Sequence, residues 1–124
     1  MSVAAVKEPA VKAIVPILSG GGTRLSCYIG ILQALQEMGF EFRHLVGVSG
    51  GSIVAALYAA GHSLADIKAL ALQTDFRQFW SFSFTSLLRT GGLCNGNKLE
   101  AWLDKELKGI TFAELAYDLH VLAT

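Results

Sequence analysis

The feature that most constrains this chain is a serine set among glycines, between an apolar run and an alanine-rich segment. Residues 47–51 read Gly-Val-Ser-Gly-Gly and fit the pattern G-x-S-x-G, with a mostly apolar run at 44–48 and an alanine-rich segment at 52–60. On a sharp strand-to-helix turn of this kind, glycines let neighbouring backbone pass where a Cβ atom would clash. We therefore predict a nucleophile elbow with Ser49 as the catalytic nucleophile. The glycines of this elbow are Gly47 and Gly51.

A second glycine cluster supports the same interpretation. Gly20, Gly21 and Gly22 follow the apolar residues 11–18. If both apolar runs are parallel strands, both turns lie at the carboxyl edge of one sheet, where α/β folds place their sites. The main-chain N–H groups of the cluster, with that of Gly50 at a helix start, would then serve as an oxyanion hole.

A phosphate-binding loop is the alternative for these glycines. The segment lacks the Lys-Ser/Thr ending of a P-loop, and Thr23 and Arg24 directly follow the third glycine, so G-x-G-x-x-G does not fit. Arg24 has two open interpretations: it steers an anionic head group or braces the loop, or it is a solvent-exposed residue at a helix start.

The apolar spacing along the chain predicts an α/β three-layer fold with a mainly parallel sheet. The predicted capping pairs are Ser63 with Asp66, Asn97 with Glu100, and Thr111 with Glu114. The predicted strands are 11–18, 44–48 and 119–123, and the predicted helices are 26–38 closed by Gly39, 52–60 closed by Gly61, 64–70, 97–107 and a short one from 111.

Composition limits the class of protein. The chain has 124 residues, of which 52% are hydrophobic and 16% charged, so we expect some apolar surface to need a partner. Positive and negative residues balance, which excludes a general attraction to nucleic acid. Two cysteines lack metal-type spacing, and we expect neither a metal nor a cofactor. With no signal peptide and no transmembrane run, we expect a cytoplasmic protein, with secretion by a signal-independent route left open.

These motifs together resemble the N-terminal part of the patatin-like phospholipase family. The resemblance rests on Ser-Gly-Gly-Gly-Thr-Arg at 19–24 and Gly-Val-Ser-Gly-Gly at 47–51, and it covers nearly the whole chain. It implies an N-terminal extension at 1–10, and at 11–124 part of a patatin-like domain truncated on its C-terminal side. One departure is Thr23-Arg24-Leu25, where the family often has a small residue and then Arg-Gly.

The resemblance implies a serine lipid acyl hydrolase of the phospholipase A or lysophospholipase type, working through a Ser–Asp dyad. Ser49 would be the nucleophile, and Gly20–Gly22 with Arg24 would form the oxyanion hole. The implied substrate is a phospholipid or another lipid ester, met at a membrane surface that the protein contacts transiently. The other implied partners are the missing C-terminal half of the domain or another protomer.

The acid of the dyad is missing from the sequence. The family carries it in an Asp-Gly-Gly or Asp-Gly-Ala motif, and no aspartate of this chain precedes a glycine. Asp75 is the least implausible substitute, and no histidine is well placed for a Ser-His-Asp order. We therefore expect the chain alone to be inactive, since a serine without a base is a poor nucleophile. The aspartates are Asp66, Asp75, Asp104 and Asp118, and the histidines are His44, His62 and His120.

Two alternatives remain open at this point. The first is a non-catalytic binding or assembly module that keeps the glycine loops as structure. The second is an acyl-carrier acyltransferase, which normally has a histidine where Val48 stands. The aromatic residues at 76–84 also have open interpretations: they form a lid, an acyl-chain contact or a membrane-facing loop, or they pack in the core or lie as a loop over the missing half of the domain.

Overall fold

The computed structural model describes residues 10–20, 24–79 and 96–123, in which every paired strand is parallel to its neighbour. Strands β2, β4 and β5 form one sheet in the order β2-β4-β5, and β1 pairs with β3. This arrangement confirms the predicted α/β class with a parallel sheet. The strands are β1 (Lys12–Ile14), β2 (Ile17–Leu18), β3 (Phe40–Phe42), β4 (His44–Val48) and β5 (Asp118–Leu122).

The prediction of one strand over residues 11–18 is wrong, because the chain changes partner in the middle of it. Residues 12–14 pair with β3, whereas residues 17–18 pair with β4. Pro16 lies at the change, and a proline has no N–H to donate to a ladder. Its carbonyl oxygen still accepts a hydrogen bond from the Val46 N–H at 3.0 Å. The second partner, β3, is a strand that the sequence analysis did not predict.

The helices of the described segments agree closely with the prediction. Gly39 and Gly61 follow α1 and α2 with φ of 85° and 99°, a conformation that favours glycine. The Ser63 hydroxyl caps α3 by accepting from the Asp66 N–H at 3.1 Å. The helices are α1 (Leu25–Glu37), α2 (Gly51–Ala59), α3 (Leu64–Gln73) and α4 (Gly96–Leu107), and 3-10 turns occupy Phe76–Phe79 and Phe112–Glu114.

The two remaining capping predictions have different outcomes. Asn97 is not a cap, because α4 already begins at Gly96 and Asn97 lies inside its first turn. The Glu114 carboxylate does accept a hydrogen bond from the Thr111 N–H at 2.8 Å, as a capping box requires. It stabilises a 3-10 turn that leads into β5.

One face of the three-stranded sheet is covered by helix and the other is not. Helix α2 packs along β4, and on that face Leu18 and Leu45 are buried. On the opposite face Ile17 is 68% exposed and Leu122 is 51% exposed. Parallel sheets are normally covered on both faces, so within the described residues this face lacks its cover. No helix in these segments combines the length and the apolar character needed to cross a bilayer.

Candidate active site

Ser49 occupies a strained turn between β4 and α2. Its φ is 50°. This left-handed conformation costs a non-glycine residue roughly 1–2 kcal/mol. Two main-chain hydrogen bonds hold it: its N–H donates to the carbonyl of Leu122 at 3.1 Å, and its own carbonyl accepts from Ser52 at 3.0 Å. The surrounding structure therefore enforces the turn, and such strain is often found at functional sites.

The glycines on either side of Ser49 are required by close backbone packing. A Cβ atom at Gly47 would lie 2.5 Å from the Cα atom of Ser52, inside any allowed contact. A Cβ atom at Gly51 would overlap the carbonyl oxygen of Leu18 at the end of β2. The first turn of α2 thus lies directly on both strands, which fixes the direction in which the elbow leaves the sheet.

The first glycine of the upstream cluster lies against the elbow. A Cβ atom at Gly20 would be 3.3 Å from the Cβ of Ser49 and 3.8 Å from its Oγ. The ends of β2 and β4 therefore meet at one sheet edge, as the parallel topology predicts. Gly21 and Gly22 lie outside the described residues, so their part in an oxyanion hole stays a prediction.

The two other residues assigned to the oxyanion hole lie in different places. Gly50 is the N-cap residue of α2 and lies beside Ser49, where the partial positive charge of the helix start favours an anion. Arg24 is exposed at the start of α1, and its carbonyl accepts from the Cys27 N–H at 3.1 Å. That position agrees with its interpretation as a helix-start residue.

Ser49 opens into an apolar cleft of about 580 Å³. The walls come from α1, α2, α4, the two 3-10 turns and β5, and none of the described residues in them carries an ionisable side chain. A cleft of this kind suits a hydrocarbon chain better than a charged ligand. Residues of its walls include Ile53, Ala56, Phe76, Phe79, Leu99, Leu103, Leu107, Leu115, Leu119 and Val121.

Two aromatic residues of the segment 76–84 have a described position. Phe76 and Phe79 contact Trp102 of α4, with ring centroids 5.6 Å and 5.7 Å apart, and Phe79 is buried. Both phenylalanines also line the cleft. These two phenylalanines therefore both pack against α4 and line the cleft. Trp80, Phe82 and Phe84 lie outside the described residues.

The structure places the described acids and histidines away from the cleft. Asp118 pairs with His44 at 3.0 Å, where β4 and β5 begin, at the opposite edge of the sheet from Ser49. The Asp66 carboxylate accepts a hydrogen bond from the Ser63 hydroxyl at the start of α3. Neither Asp104 nor the other histidines line the cleft: His62 contacts the Glu106 carbonyl at 3.2 Å, and His120 is exposed on β5.

Asp75 is engaged by a neighbour and does not line the cleft either. The Arg77 guanidinium lies 3.0 Å from its carboxylate, and the Arg77 main-chain N–H donates to it at 3.1 Å. The side-chain hydrogen bond from Arg77, reinforced by the main-chain one, lowers the pKa of the Asp75 carboxyl below its ordinary value. A carboxyl with a lowered pKa is a weaker base, which argues against a catalytic role for this one.

We expect Asp75→Asn to leave any Ser49-dependent esterase activity of the intact protein within about twofold of wild type, because the carboxylate does not reach the site. Initial rates at saturating ester measure this, with Ser26→Ala on the exposed side of α1 as a neutral control. A loss of about 100-fold or more, the usual contribution of a general base, would show that Asp75 acts in catalysis.

Comparisons with known proteins show the family to which this chain belongs. The model of the family "Patatin-like phospholipase" matches residues 17–123. The chain belongs to the patatin-like phospholipase family. The match covers β2, the elbow, α2 and β5, so the patatin-like region includes every described element that forms the site.

Relatives extend the comparison, although each is much longer than the matched part. The uncharacterized protein YqhO of Bacillus subtilis is 32% identical over 97 residues, which cover 70% of this chain and 33% of YqhO. Human patatin-like phospholipase domain-containing protein 6 is 39% identical over 72 residues, 58% of this chain and 5% of that protein. Lysophospholipase NTE1 of Candida glabrata is 45% identical over 56 residues, 45% of this chain and 3% of that enzyme.

Part of the crystal structure of VipD from Legionella pneumophila is similar in fold to this chain, with a TM-score of 0.59 at 28% identity. The similarity covers 80% of this chain and 17% of VipD. The chain thus spans about a third of the length of YqhO and less of the other relatives named here.

Sequence reasoning missed the walls of the cleft that come from residues 110–123. Ile110, Leu115, Leu119 and Val121 reach the site because β5 pairs with β4 and the Ala116 N–H, just before β5, donates to the Ala59 carbonyl at the end of α2 at 2.8 Å. The apolar residues of 119–123 signalled a strand, and nothing local indicated that its side chains face the nucleophile.

Proposed function

We propose that this chain carries the nucleophile of a serine lipid acyl hydrolase, with Ser49 as the attacking residue. The observation that carries the proposal is the position of Ser49: it occupies a left-handed turn, against Gly20, in the lining of an apolar cleft. Family membership supports a lipid hydrolase in general, and the geometry of the elbow supports the Ser49 Oγ as the reacting atom.

In the proposed reaction the Ser49 Oγ attacks the ester carbonyl carbon and loses its proton to a base. The tetrahedral intermediate then collapses: the bond from carbon to the alcohol oxygen breaks, and the alcohol leaves with that proton. Water hydrolyses the resulting acyl-serine, releasing the fatty acid and restoring the Ser49 hydroxyl. Each step passes through a negative oxygen that needs hydrogen-bond donors.

Those donors would come from the main chain. Gly50 lies where α2 begins, so its N–H is near the positive end of the helix dipole. Gly20 lies against Ser49, and by resemblance Gly21, Gly22 and Arg24 complete the hole. Removal of one such donor typically costs a hydrolase about 100- to 1,000-fold in rate.

The cleft indicates the class of substrate. Its described walls are apolar and uncharged, so they suit the acyl chain of a lipid ester. The charged part of a phospholipid would lie outside these walls, in contact with solvent or with the surface of the membrane. We propose phospholipids or lysophospholipids as substrates, taken up at a membrane surface.

The base that completes the dyad is, in this proposal, none of the aspartates described here. No described carboxylate or imidazole lines the cleft beside Ser49. We propose that the base comes from outside the described segments, and the family's Asp-Gly motif occurs nowhere in the 124 residues. The 124-residue chain by itself should consequently show no Ser49-dependent ester turnover.

Fluorophosphonate labelling of the intact protein tests the proposal, because the probe reacts only with an activated serine. We expect stoichiometric labelling of wild type, full loss in Ser49→Ala and unchanged labelling in Ser26→Ala, whose serine is exposed on α1. Labelling that persists in Ser49→Ala contradicts the assignment. An unlabelled but folded wild type would favour the alternative of a binding or assembly module.

A further inference from the structure

The side chain of Tyr28, on α1, bridges to the residue that begins the glycine cluster. Its hydroxyl lies 2.5 Å from the main-chain oxygen of Ser19 and 2.9 Å from the Ser19 hydroxyl. A tyrosine has one proton to donate, and a carbonyl oxygen can only accept. Tyr28 therefore donates to the Ser19 carbonyl, and the Ser19 hydroxyl donates back to Tyr28.

This contact fixes more than the Ser19 carbonyl, because that carbonyl shares a rigid plane with the N–H of Gly20. A trans peptide is planar, and its C=O and N–H point in opposite directions. A hydrogen bond that holds the oxygen therefore also sets the direction of the Gly20 N–H. The same oxygen lies 2.7 Å from where a Cβ of Gly51 would be, so it is confined between Tyr28 and α2.

Gly20 is the described residue of the glycine cluster, and a Cβ atom there would lie 3.3 Å from that of Ser49. We propose that Tyr28 is a positioning residue of the active site: it locks the Ser19–Gly20 peptide plane so that the Gly20 N–H keeps a constant orientation beside the nucleophile. The inference rests on the proposed function, since an oriented N–H matters only if an oxyanion forms there. Tyr28 itself touches no reacting atom in this account.

Tyr28→Phe tests the effect of this hydrogen bond directly, since the substitution removes only the hydroxyl group. In the ¹⁵N-labelled chain we expect the order parameter of the Gly20 amide to fall from about 0.85 towards roughly 0.6, while the amide of Val46 in β4 stays rigid. Tyr58→Phe is the matched control, because its hydroxyl accepts from Gln36 at 2.9 Å, away from the loop. A Gly20 amide that is as ordered in Tyr28→Phe as in wild type overturns the proposal.

The second measurement tests whether the hydrogen bond from Tyr28 affects the reaction of Ser49. In the intact protein we expect Tyr28→Phe to slow fluorophosphonate labelling of Ser49 and to lower kcat by roughly tenfold, with KM little changed, since a misdirected donor acts mainly on the transition state. Tyr58→Phe should keep both values. Labelling and kcat at wild-type levels in a Tyr28→Phe protein with a loosened Gly20 amide would overturn the positioning role.

The two proposals fail in different ways. If wild type is never labelled at Ser49, the proposed hydrolase is wrong, and the relaxation of the Gly20 amide still decides whether Tyr28 locks the peptide plane. Ser19→Ala separates the two hydrogen bonds. It removes the returning hydroxyl but keeps the bond to the carbonyl, so we expect a smaller loss of order than in Tyr28→Phe.

Discussion

Gly51→Ala is expected to destabilise the fold by about 3 kcal/mol or more, the upper end of the usual cost of overpacking. The added methyl group would overlap the main-chain oxygen of Leu18 and lie 2.7 Å from that of Ser19. A flexible side chain can turn away from a new methyl group, but these oxygens belong to the end of β2 and cannot. Helix α2 would have to move off the sheet, and urea denaturation measures the cost.

Gly30→Ala is the matched control for this substitution. Gly30 lies in α1, and a Cβ atom there would meet nothing within 4 Å. Alanine is favoured over glycine inside a helix, so this variant should gain about 0.5–1 kcal/mol. If Gly51→Ala proved as stable as Gly30→Ala, the close packing of α2 on the end of β2 would be wrong.

Gly20→Ala is expected to leave the fold nearly intact and to lower the reactivity of Ser49 by roughly 100-fold. Misplacement of reacting groups by about 1 Å has an effect of this size. The new Cβ would lie 3.3 Å from that of Ser49, so the nucleophile or the loop must shift. The φ of Gly20 is outside the positive range, and alanine therefore adds little backbone strain.

The rate of fluorophosphonate labelling in the intact protein, set beside the urea midpoint, checks this prediction. Gly30→Ala again serves as control, with an unchanged labelling rate expected. A Gly20→Ala protein that is labelled as fast as wild type would show that the end of β2 does not shape the site. A protein that unfolds would show instead that Gly20 is needed for packing.

Local signals in the sequence predicted most of the helices and strands, and the parallel topology predicted that the two glycine turns meet. Gly39, Gly61 and Ser63 end or begin helices through backbone preferences that act within a few residues. The contact of Gly20 with Ser49 followed from topology, because parallel strands place their carboxyl ends at one edge. The fold class alone therefore predicts this contact, without any side-chain detail.

The features that were missed depend on distant partners. Strand β3 has three residues and is stabilised by β1, far away along the chain, and the break at Pro16 shows only once both neighbours of that segment are known. The preference of asparagine for cap positions predicts a cap at Asn97, but α4 starts one residue earlier. The hydrogen bond from the Tyr28 hydroxyl to the Ser19 carbonyl was not predicted, because no periodic pattern in the sequence relates these two residues.

The hydrogen bond from the Ser49 N–H to the Leu122 carbonyl has a consequence for the order of folding. Ser49 and β5, the strand that fixes its main chain, lie far apart along the sequence. Closing so long a loop is slow compared with forming a helix, so β5 should dock after α1 and α2. Until β5 docks, the hydrogen bond from the Ser49 N–H to the Leu122 carbonyl is missing, and the strained turn is free to relax. We expect the nucleophile to reach its reactive geometry among the last events of folding, which would keep partly folded chains from reacting.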